Sequence, residues 1–280
     1  MLTQFYIDDL IKTAITEDIN YLDVTTDYLI DEDSVTEAYY IAKDAGVVCG
    51  LDIALRVFTL LDETVTLEKF KQDGEEVKAG DILATMRGKT RALLKGERTS
   101  LNLLQHMSGI ATATRRCVKL TKGTNASIAE TRKTLPGLRP IQKYAVMVGG
   151  GKNHRYNLSD AAMLKDNHID AFGGIIPAVR ALRARVGHLL KIEVEVRNFE
   201  ELDQALEAKA DVIMLDNMNC EQMAEAVRHV GGRARLEASG NITLDNLAEV
   251  AKTGVDIISL GALTHSVKAF DISLKIKTDK

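Results

Sequence analysis

The amino-acid sequence predicts an α/β protein whose second half forms a parallel sheet, closed or nearly closed into a barrel. From Ser127 onward, short apolar strand candidates alternate with helix candidates, which is the pattern of parallel βα units. Before residue 90 the pattern differs, because short strand candidates follow one another and are separated by turns. At 280 residues, the chain is long enough for one large or two ordinary domains.

The first ninety residues are predicted to form a small, mostly β scaffold. Apolar residues at helical spacing predict a short helix over residues 7–14, and the polar residues 16–27 are predicted to form a loop. The strand candidates are residues 36–43, 46–50, 64–70 and 81–88.

The segment between the last two of these strands contains a double-turn pattern, D-G-x-x-V-x-x-G-D. Gly74 and Gly80 permit the tight backbone that such turns require. The pattern is similar to lipoyl and biotinyl carrier half-barrels, but these carry a modifiable lysine at a hairpin tip, and no such tip is present. A β scaffold is therefore the prediction, and a carrier role is the alternative.

The remaining elements are predicted from periodicity. A long helix is predicted over residues 96–121. The barrel strand candidates are residues 127–129, 162–164, 191–194, 211–215, 235–238 and 256–259. The helix candidates between them are residues 176–185, 199–209, 220–229 and 244–252.

Polar and charged residues follow almost every predicted barrel strand. Active sites of such barrels lie at the carboxyl ends of the strands, so these residues are the candidates for function. The residues at these ends are Thr131, Arg132, Lys133, Lys165, Asp166, Asn167, Glu195, Asp216, Asn217, Ser239, Gly240, Asn241 and Gly261.

A local cluster of positive charge stands out because the whole chain is acidic, with 36 Lys and Arg against 40 Asp and Glu. Residues 131–168 contain seven Lys or Arg and only two acids, Asp160 and Asp166. We interpret this segment as a site for a small, highly anionic ligand. Gly149–Gly151 lie inside it, where the backbone can approach a ligand closely. Solvated surface charge is the alternative.

The other strand ends suggest further roles. Glu195 and Asp216 can bind ribose hydroxyls or a hydrated Mg²⁺, although Glu195 can also be a structural partner for a Lys or Arg. The small, Gly-containing loops at residues 239–243 and 259–266 suit a phosphate group. Lys133 and Lys165 could instead form Schiff bases, as in barrel aldolases.

Composition excludes several classes of protein. The net charge of −4 argues against a broad nucleic-acid surface. Three widely spaced cysteines without a C-x-x-C pair argue for a reducing compartment and against a zinc site. The N-terminal residues lack the features of a signal peptide, and no apolar run is long enough to cross a bilayer. We therefore expect a soluble, cytoplasmic protein.

Three stretches follow one another along the chain: E-T-R-K-T-L-P-G-L-R (130–139), G-G-G-K-N-H-R (149–155) and L-K-D-N-H-I (164–169). Together they resemble the quinolinate phosphoribosyltransferase family. The resemblance extends over nearly the whole chain, through E-D-I-N-Y-L-D-V-T-T, G-E-R-T-S-L-N, I-E-V-E-V, I-M-L-D-N-M, E-A-S-G-N-I and S-L-G-A-L-T-H-S. Leu135 and Asn157 depart from the family pattern, where Thr and Gly are common. Neither position carries a charge that the chemistry needs.

The resemblance implies two domains. Residues 1–105 would form an N-terminal α/β sandwich-like domain, joined by the C-terminal segment 267–280. Residues 106–266 would form an open α/β barrel of six or seven parallel strands. The implied assembly is a homodimer with an active site shared across subunits, and possible higher oligomers are left open.

The resemblance also implies an activity: the Mg²⁺-dependent conversion of quinolinate and 5-phosphoribosyl 1-diphosphate to nicotinate mononucleotide, CO₂ and diphosphate, for NAD synthesis. Arg98 would reach the dicarboxylate from the partner subunit, and Lys133 would lie at the junction with the donor. The implied catalytic residues are Lys133, Glu195 and Asp216, of which Glu195 and Asp216 would also hold Mg²⁺ and the ribose hydroxyls. The implied substrate-binding residues are Arg98, Thr131, Arg132, Lys133, His154, Arg155, Lys165, Glu195, Asp216, Ser239, Gly240, Asn241, Leu260, Gly261 and Ala262.

Overall fold

The computed structural model describes residues 2–277 and has a mixed α/β fold, as the sequence predicts. The helices are α1 (Gln4–Asp18), α2 (Val24–Leu29), α3 (Leu51–Leu61), α4 (Thr90–Leu120), α5 (Arg139–Val148), α6 (Asp166–Phe172), α7 (Ile175–Arg183), α8 (Phe199–Glu207), α9 (Cys220–Val230), α10 (Leu247–Lys252) and α11 (Ala262–His265). The strands are β1 (Val35–Ala42), β2 (Gly46–Val47), β3 (Thr66–Lys69), β4 (Glu76–Val77), β5 (Ile82–Lys89), β6 (Ser127–Ala129), β7 (Ala162–Leu164), β8 (Ile192–Val196), β9 (Val212–Asp216), β10 (Arg235–Ser239), β11 (Ile257–Ser259) and β12 (Ile272–Ile276).

The chain divides into two compact units. The first unit comprises Met1–Arg115, Pro136–Gly149 and Ser266–Lys280, and the second comprises Arg116–Leu135 and Gly150–His265. These limits differ from the boundary expected after residue 105, because residues 106–115 and 136–149 belong to the first unit. Residues 278–280 of the expected C-terminal segment lie outside the described residues.

The first unit is built on a four-stranded antiparallel sheet in the order β12-β1-β5-β3. Alternate residues of β1 are buried, as expected for a sheet with one face against a core. Tyr40 from this face and Phe58 from α3 are both fully buried in the same apolar cluster, and their ring centroids are 6.3 Å apart. The buried face of the sheet therefore fixes the position of α3.

Three helices of this unit, α2, α3 and α5, were not predicted. α2 lies within the predicted loop over residues 16–27, because the side chain of Asp23 accepts hydrogen bonds from the backbone N–H groups of Thr25 (3.1 Å) and Thr26 (3.0 Å). α3 begins at Leu51, and the carboxylate of Asp73 accepts the N–H groups of the N-cap residue Gly50 (2.9 Å) and of Leu51 (3.1 Å). Asp73 therefore caps α3 from a distant part of the chain.

The double-turn prediction is confirmed in its backbone detail. Gly74 and Gly80 both have φ of +95°, in the left-handed region that favours glycine. The segment between them contributes the short strand β4, which pairs antiparallel with β2.

The second unit contains the six-stranded parallel sheet of the open barrel, in the order β6-β11-β10-β9-β8-β7. All six strands were predicted, and β6 and β7 match the predicted limits. Along β8, β9 and β10, residues at every second position share one face with the carboxyl-terminal residues Glu195, Asp216 and Ser239. This alternation places the side chains of the site on the inner face of the sheet.

The main differences in this unit concern helices. The predicted helix from residue 244 begins at Leu247, and the unpredicted α6 begins at Asp166, directly after β7. Among residues 2–277, no helix combines the length and apolar character needed to cross a bilayer.

Candidate active site

A polar cavity of about 590 Å³ lies at the carboxyl ends of the barrel strands. Its walls bring together eleven of the residues implied as substrate-binding, all of them in the second unit. These residues are Thr131, Arg132, Lys133, His154, Arg155, Lys165, Glu195, Asp216, Ser239, Gly240 and Asn241. The rest of the lining consists of Met163, Met214, Asn217 and Glu237.

The segment after β6 supplies one part of the cationic wall. Its turn is closed by the N–H of Lys133, which donates to Oγ1 of Thr131 at 3.0 Å. Thr264 also holds this turn, through a 2.9 Å hydrogen bond from its hydroxyl to the carbonyl of Lys133. The Nε atom of Arg132 is buried without a hydrogen-bond partner within the described part of the chain. A buried donor of this kind is costly to leave unpaired, which indicates a site for an anion.

Arg155 supplies a second cation from the segment before β7. Its Nη1 donates to the carbonyl of Ala161 at 3.0 Å, and its Nη2 lies 3.6 Å from the sulfur of Met163. Burial and the neighbouring charge of Arg132 lower the pKa of Arg155 from its usual value. A guanidinium group has five N–H donors, so these contacts fix the side chain and leave donors for a ligand.

The acidic part of the cavity touches the cationic part directly. Nζ of Lys165 lies 2.9 Å from Oε2 of Glu195. Asp216, the last residue of the next strand, accepts a 2.9 Å hydrogen bond from the side-chain amide of Asn217. Carboxylate oxygens are the ligands that Mg²⁺ prefers, so these residues fit such an ion.

The loops after β9 and β10 adopt unusual backbone conformations. Asn217 has φ of +54°, Asn241 +52° and Gly240 +91°. The side chains of the two asparagines are joined by a 2.9 Å hydrogen bond. A Cβ atom at Gly240 would lie 2.2 Å from Oδ1 of Asn217, so only glycine fits here. Strained conformations of this kind are common at ligand-binding sites.

The residues after β11 lie beside the cavity. A Cβ atom at Gly261 would lie 3.0 Å from Cδ of Lys133, so this glycine leaves room for the lysine side chain. Leu260 is buried and Ala262 exposed, and neither lines the cavity.

Arg98 is not among the residues that line the cavity. It lies on α4 in the first unit and is exposed. Its predicted role in a neighbouring subunit's site stays a prediction.

His154 and Glu237 line the cavity, and the buried Glu193 lies beside them; the two glutamates were missed from the sequence. Nε2 of His154 lies 3.2 Å from Oε2 of Glu193 and 3.5 Å from Oε2 of Glu237. Glu193 and Glu237 come from β8 and β10, and their side chains are only 7% and 2% exposed. Both stand two residues before a predicted site residue, Glu195 and Ser239, so strand alternation was the signal that could have found them.

The charges in this cluster are strongly coupled. Burial lowers the pKa of His154, but hydrogen bonds to the two glutamates outweigh it and raise the pKa to about 10. Burial also raises the pKa of Glu193, to which the charge of Glu237 adds. The cluster therefore retains one proton more than a neutral imidazole beside two carboxylates would hold.

The third neighbour of the imidazole is the backbone: Nδ1 of His154 lies 2.7 Å from the backbone nitrogen of Arg155. The spacing of His154, Glu193 and Glu237 would also suit a metal ion. The raised pKa of His154 means that its ring is protonated near neutral pH, and a protonated imidazole does not bind a metal, so the donor chemistry favours an ion pair with the glutamates.

Taken together, the open parallel barrel and the polar cavity at the carboxyl ends of its strands define an α/β-barrel enzyme with an active site for polyanionic ligands. The family model described as "Quinolinate phosphoribosyl transferase, C-terminal domain" matches residues 110–275, and the corresponding N-terminal domain model matches residues 23–108. The chain belongs to the quinolinate phosphoribosyl transferase family.

Individual relatives agree with this assignment. The chain is 44% identical over 267 residues to the probable nicotinate-nucleotide pyrophosphorylase [carboxylating] of Bacillus subtilis, covering 95% of this chain and 92% of the relative. It is 44% identical over 277 residues to the Mycobacterium leprae nicotinate-nucleotide pyrophosphorylase [carboxylating], with 96% of each chain covered. The solved structure of NadC from Streptococcus pyogenes superimposes with a TM-score of 0.95 at 42% identity, covering 99% of this chain and 98% of that chain.

Proposed function

We propose that the protein is a decarboxylating pentosyltransferase that joins quinolinate to 5-phosphoribosyl 1-diphosphate and releases nicotinate mononucleotide, CO₂ and diphosphate. The observation that carries the proposal is a single cavity in which a cationic wall meets an acidic edge through Lys165 and Glu195. This arrangement fits two anionic substrates that bind side by side. Family membership and the names of the relatives support the same reaction.

The cationic wall accounts for binding of a pyridine with two adjacent carboxylates. Arg132, Arg155 and Lys165 all line the cavity and present hydrogen-bond donors together with positive charge. The guanidinium groups suit bidentate contacts with carboxylates, and the ammonium group adds a compact charge.

The opposite part of the cavity fits the phosphoribosyl donor. Glu195 and Asp216 would accept hydrogen bonds from ribose hydroxyls, and the small loop residues Ser239–Asn241 leave room for the 5′-phosphate beside backbone N–H groups. Mg²⁺, held by Glu195 and Asp216 through oxygen ligands, would neutralise charge on the diphosphate group. Lys133, between the cationic wall and Gly261, would lie at the junction of the two substrates.

The reaction follows from this placement. The cavity holds the ring nitrogen of quinolinate in line with C1′ of the ribose. The nitrogen lone pair forms the bond to C1′, and the C1′–oxygen bond breaks with its electron pair leaving on diphosphate. The ring nitrogen is then cationic and stabilises the electron pair left when the adjacent carboxylate departs as CO₂. A proton replaces the lost carboxylate. The cations of the cavity stabilise negative charge throughout.

We further propose a homodimer in which Arg98 enters the partner's site and adds a cation at the dicarboxylate. The support is that Arg98 is an exposed arginine with no part in the cavity of its own chain. A reducing, cytoplasmic location is also proposed, since Cys49 and Cys117 are buried free thiols.

The test incubates the protein with quinolinate, 5-phosphoribosyl 1-diphosphate and Mg²⁺ and follows product mass and CO₂ release, with nicotinate as the control substrate. We expect turnover of quinolinate only. Turnover of nicotinate but not quinolinate would overturn the proposal. Trapping of a substrate carbonyl on Lys133 or Lys165 by borohydride would favour a lyase, and donor binding without turnover would favour an anion-binding protein.

A further inference from the structure

The side chain of Arg115, near the end of α4, contacts two other parts of the first unit. Its Nε donates to the carbonyl of Gly149 at 3.0 Å, and its Nη2 donates to the carbonyl of Val148 at 3.3 Å. On the side of the double turn, Nη2 donates to the carbonyl of Gly74 at 3.5 Å, and Nη1 lies 3.3 Å from Oε1 of Glu76. One guanidinium group therefore joins the end of α5 to the double turn, and we call these five residues the α5 clamp.

We propose that Arg115 is a positioning residue for the quinolinate half of the active site. It holds the carboxyl-terminal end of α5, and the chain continues from there directly into residues 150–155, which carry His154 and Arg155. The double turn is then part of the support of the active site and not a carrier site. This inference rests on the proposed function, which assigns Arg155 to the dicarboxylate.

The first step of the argument is the chemistry of a helix end. The last four carbonyls of an α-helix have no N–H partner within the helix, and the helix dipole favours a cation beside them. Val148 is the last residue of α5, and Gly149 is its C-cap. A guanidinium group has five N–H donors in a planar fork, so one side chain can bind several carbonyls at once. The side chain of Arg115 is 28% exposed, so water reaches these hydrogen bonds only in part.

The second step is the close packing of the same helix end against α4. A Cβ atom at Gly149 would lie 2.6 Å from the carbonyl oxygen of Ala111 and 2.6 Å from Cβ of Thr114. Both of these residues are fully buried, and Ala111 lies one helical turn before Arg115. A glycine that permits close approach and an arginine that binds two carbonyls therefore fix the end of α5 at the same place on α4.

The third step is the short segment that follows α5. The N–H of Lys152 donates to the carbonyl of Ile128, in β6, at 2.8 Å. Nη1 of Arg155 donates to the carbonyl of Ala161, directly before β7, at 3.0 Å. Because β6 and β7 are the two edge strands of the six-stranded sheet, residues 150–155 contact both sides of the opening in the barrel. A segment this short has little slack, so the point at which it begins helps to decide where the Arg155 side chain lies.

The fourth step is the selectivity of the effect. The residues assigned to the donor, Glu195, Asp216 and Ser239, stand on β8, β9 and β10. These strands are held by pairing with one another, whereas the clamp acts on the segment that carries Arg155. Loss of the clamp should therefore disturb the quinolinate half of the cavity and leave the donor half intact.

The direct test is hydrogen exchange measured by mass spectrometry on the protein without substrates. Arg115→Ala removes charge-assisted hydrogen bonds, so we expect peptides that cover residues 150–156 to exchange about 10-fold faster or more than in the wild type. Peptides that cover residues 239–246, in the proposed phosphate loop, should be unchanged. The amides of the first segment that report this change are those of Lys152, His154 and Tyr156, which donate to Ile128, Glu130 and Asp160.

The matched control is Arg116→Ala, at the exposed next residue of α4, which should leave exchange in both segments at the wild-type rate. Unchanged exchange of residues 150–156 in a folded Arg115→Ala protein would overturn the proposal. An equal increase in both segments would also overturn it, because it would show general loosening. This measurement needs neither turnover nor ligand, so it decides on the clamp even if the proposed function fails.

A kinetic test compares the two substrates. We expect Arg115→Ala to raise KM for quinolinate about 10-fold and to leave KM for 5-phosphoribosyl 1-diphosphate unchanged. Arg115→Lys keeps the charge but lacks the planar fork, so it should restore the KM for quinolinate only in part. A role in stability alone would lower the melting temperature without separating the two KM values. Equal changes in both KM values, or no change in either, would overturn the proposal.

Gly149→Ala tests the same clamp while Arg115 remains in place. Its methyl group would meet the carbonyl of Ala111, so the end of α5 must move. We expect faster exchange of residues 150–156 and the same selective rise in KM for quinolinate. Gly187→Ala, whose methyl group meets no atom within 4 Å, is the control and should change neither quantity. If Arg115→Ala does not fold, Arg115→Lys and Gly149→Ala decide, and wild-type exchange and KM in both would overturn the proposal.

Discussion

Nζ of Lys165 and Oε2 of Glu195 are 2.9 Å apart, and this ion pair joins the two halves of the active-site cavity. The side chain of Lys165 is 49% exposed and that of Glu195 is 14% exposed, so solvent reaches the pair mainly from the lysine side. Each partner is also a candidate ligand for a different substrate. If quinolinate binds at Lys165 and the donor at Glu195, as proposed above, binding of either substrate would release the other partner of the pair. The ion pair would then be a physical route by which each substrate favours the other.

Glu195→Gln should show which half of the cavity binds each substrate. The variant removes a charged acceptor for the donor but releases Lys165, so we expect KM for 5-phosphoribosyl 1-diphosphate to rise about 10- to 100-fold while affinity for quinolinate is retained. Asp216→Asn should likewise affect the donor and its Mg²⁺ dependence. Initial rates over a range of donor, Mg²⁺ and quinolinate concentrations measure this, with Glu200→Gln on the exposed face of α8 as control. A change confined to the KM for quinolinate would mean that quinolinate, and not the donor, binds in the half of the cavity that contains Glu195.

Arg155→Ala should weaken binding of quinolinate far more than binding of the donor. Removing one partner of a desolvated charge pair costs about 2–5 kcal/mol. Calorimetric titration of the variant with each ligand measures the two losses. Arg228→Ala, an exposed arginine on α9, is the matched control. Equal losses for both ligands, or no loss, would contradict the assignment of Arg155 to the dicarboxylate.

Gly240→Ala should damage the donor site through the backbone. A methyl group would lie 2.2 Å from Oδ1 of Asn217 at a φ of +91°, so the asparagine pair must move. The strain alone is about 1–3 kcal/mol. We expect a higher KM for the donor and a lower melting temperature. Gly187→Ala, where no atom lies within 4 Å of the new methyl group, should change neither quantity. A Gly240→Ala protein with normal donor kinetics would show that this loop is not part of the phosphate site.

The pair formed by Asp8 on α1 and Arg56 on α3 should make the stability of the protein pH-dependent. Two hydrogen bonds of 2.9 and 2.8 Å from Arg56 lower the pKa of Asp8 to about 2. Because the pKa of Asp8 is lower in the folded state, the ion pair stabilises that state at pH values above 3.8, the pKa of Asp8 in the unfolded chain. This contribution is lost as the pH falls through about 2. Because the pair is partly exposed, Asp8→Asn should cost no more than about 1 kcal/mol at neutral pH.

Urea unfolding of Asp8→Asn and of the exposed neighbour Asp9→Asn, at neutral pH and at about pH 2, checks this sign. The difference in the free energy of unfolding between Asp8→Asn and the wild type should be present at neutral pH and should become smaller in acid. A difference that grows in acid would contradict the role of the ion pair.

Mixing Arg98→Ala with Arg155→Ala protein tests whether the site is shared between subunits. Each variant alone should be inactive or nearly so. If Arg98 acts in the partner's site, subunit exchange produces dimers in which one site carries neither substitution, and activity returns. Arg116→Ala, another exposed arginine on α4, should be active alone. Mixed dimers that form, as shown by mass spectrometry, and stay inactive would rule out this role for Arg98.

The elements of the fold that could be predicted from the sequence are those whose sequence pattern is local. The strands β6 to β11 were found because each is a short apolar run between helix patterns. α3 was missed because its sequence is almost continuously apolar and its start is capped by Asp73, 22 residues from Leu51. α2 was missed because the capping of a polar segment by Asp23 outweighs its loop-like composition.

The residues of the candidate site also divide into those with a local sequence pattern, which were predicted, and those without one, which were missed. The cations after β6 and before β7 stand close together in the sequence, so their charge cluster was visible there. Glu193 and Glu237 were not found, because each reads as an ordinary strand residue until β8 and β10 direct both side chains at one imidazole. The contacts of His154 come from β8, from β10 and from its own segment, and no local pattern in the sequence specifies them.

The pairing of β1 with β12 has a consequence for how the molecule is made. Ala42 and Ile272 are register partners in the antiparallel sheet of the first unit, yet 230 residues separate them in the chain. A ribosome adds about 5–20 residues per second, so β1 emerges about 10 to 50 s before its partner. Throughout that interval the outer edge of β1 offers unpaired backbone groups, which is the kind of edge that recruits other chains. The barrel strands between them can pair first, so the part of the protein translated first is completed last.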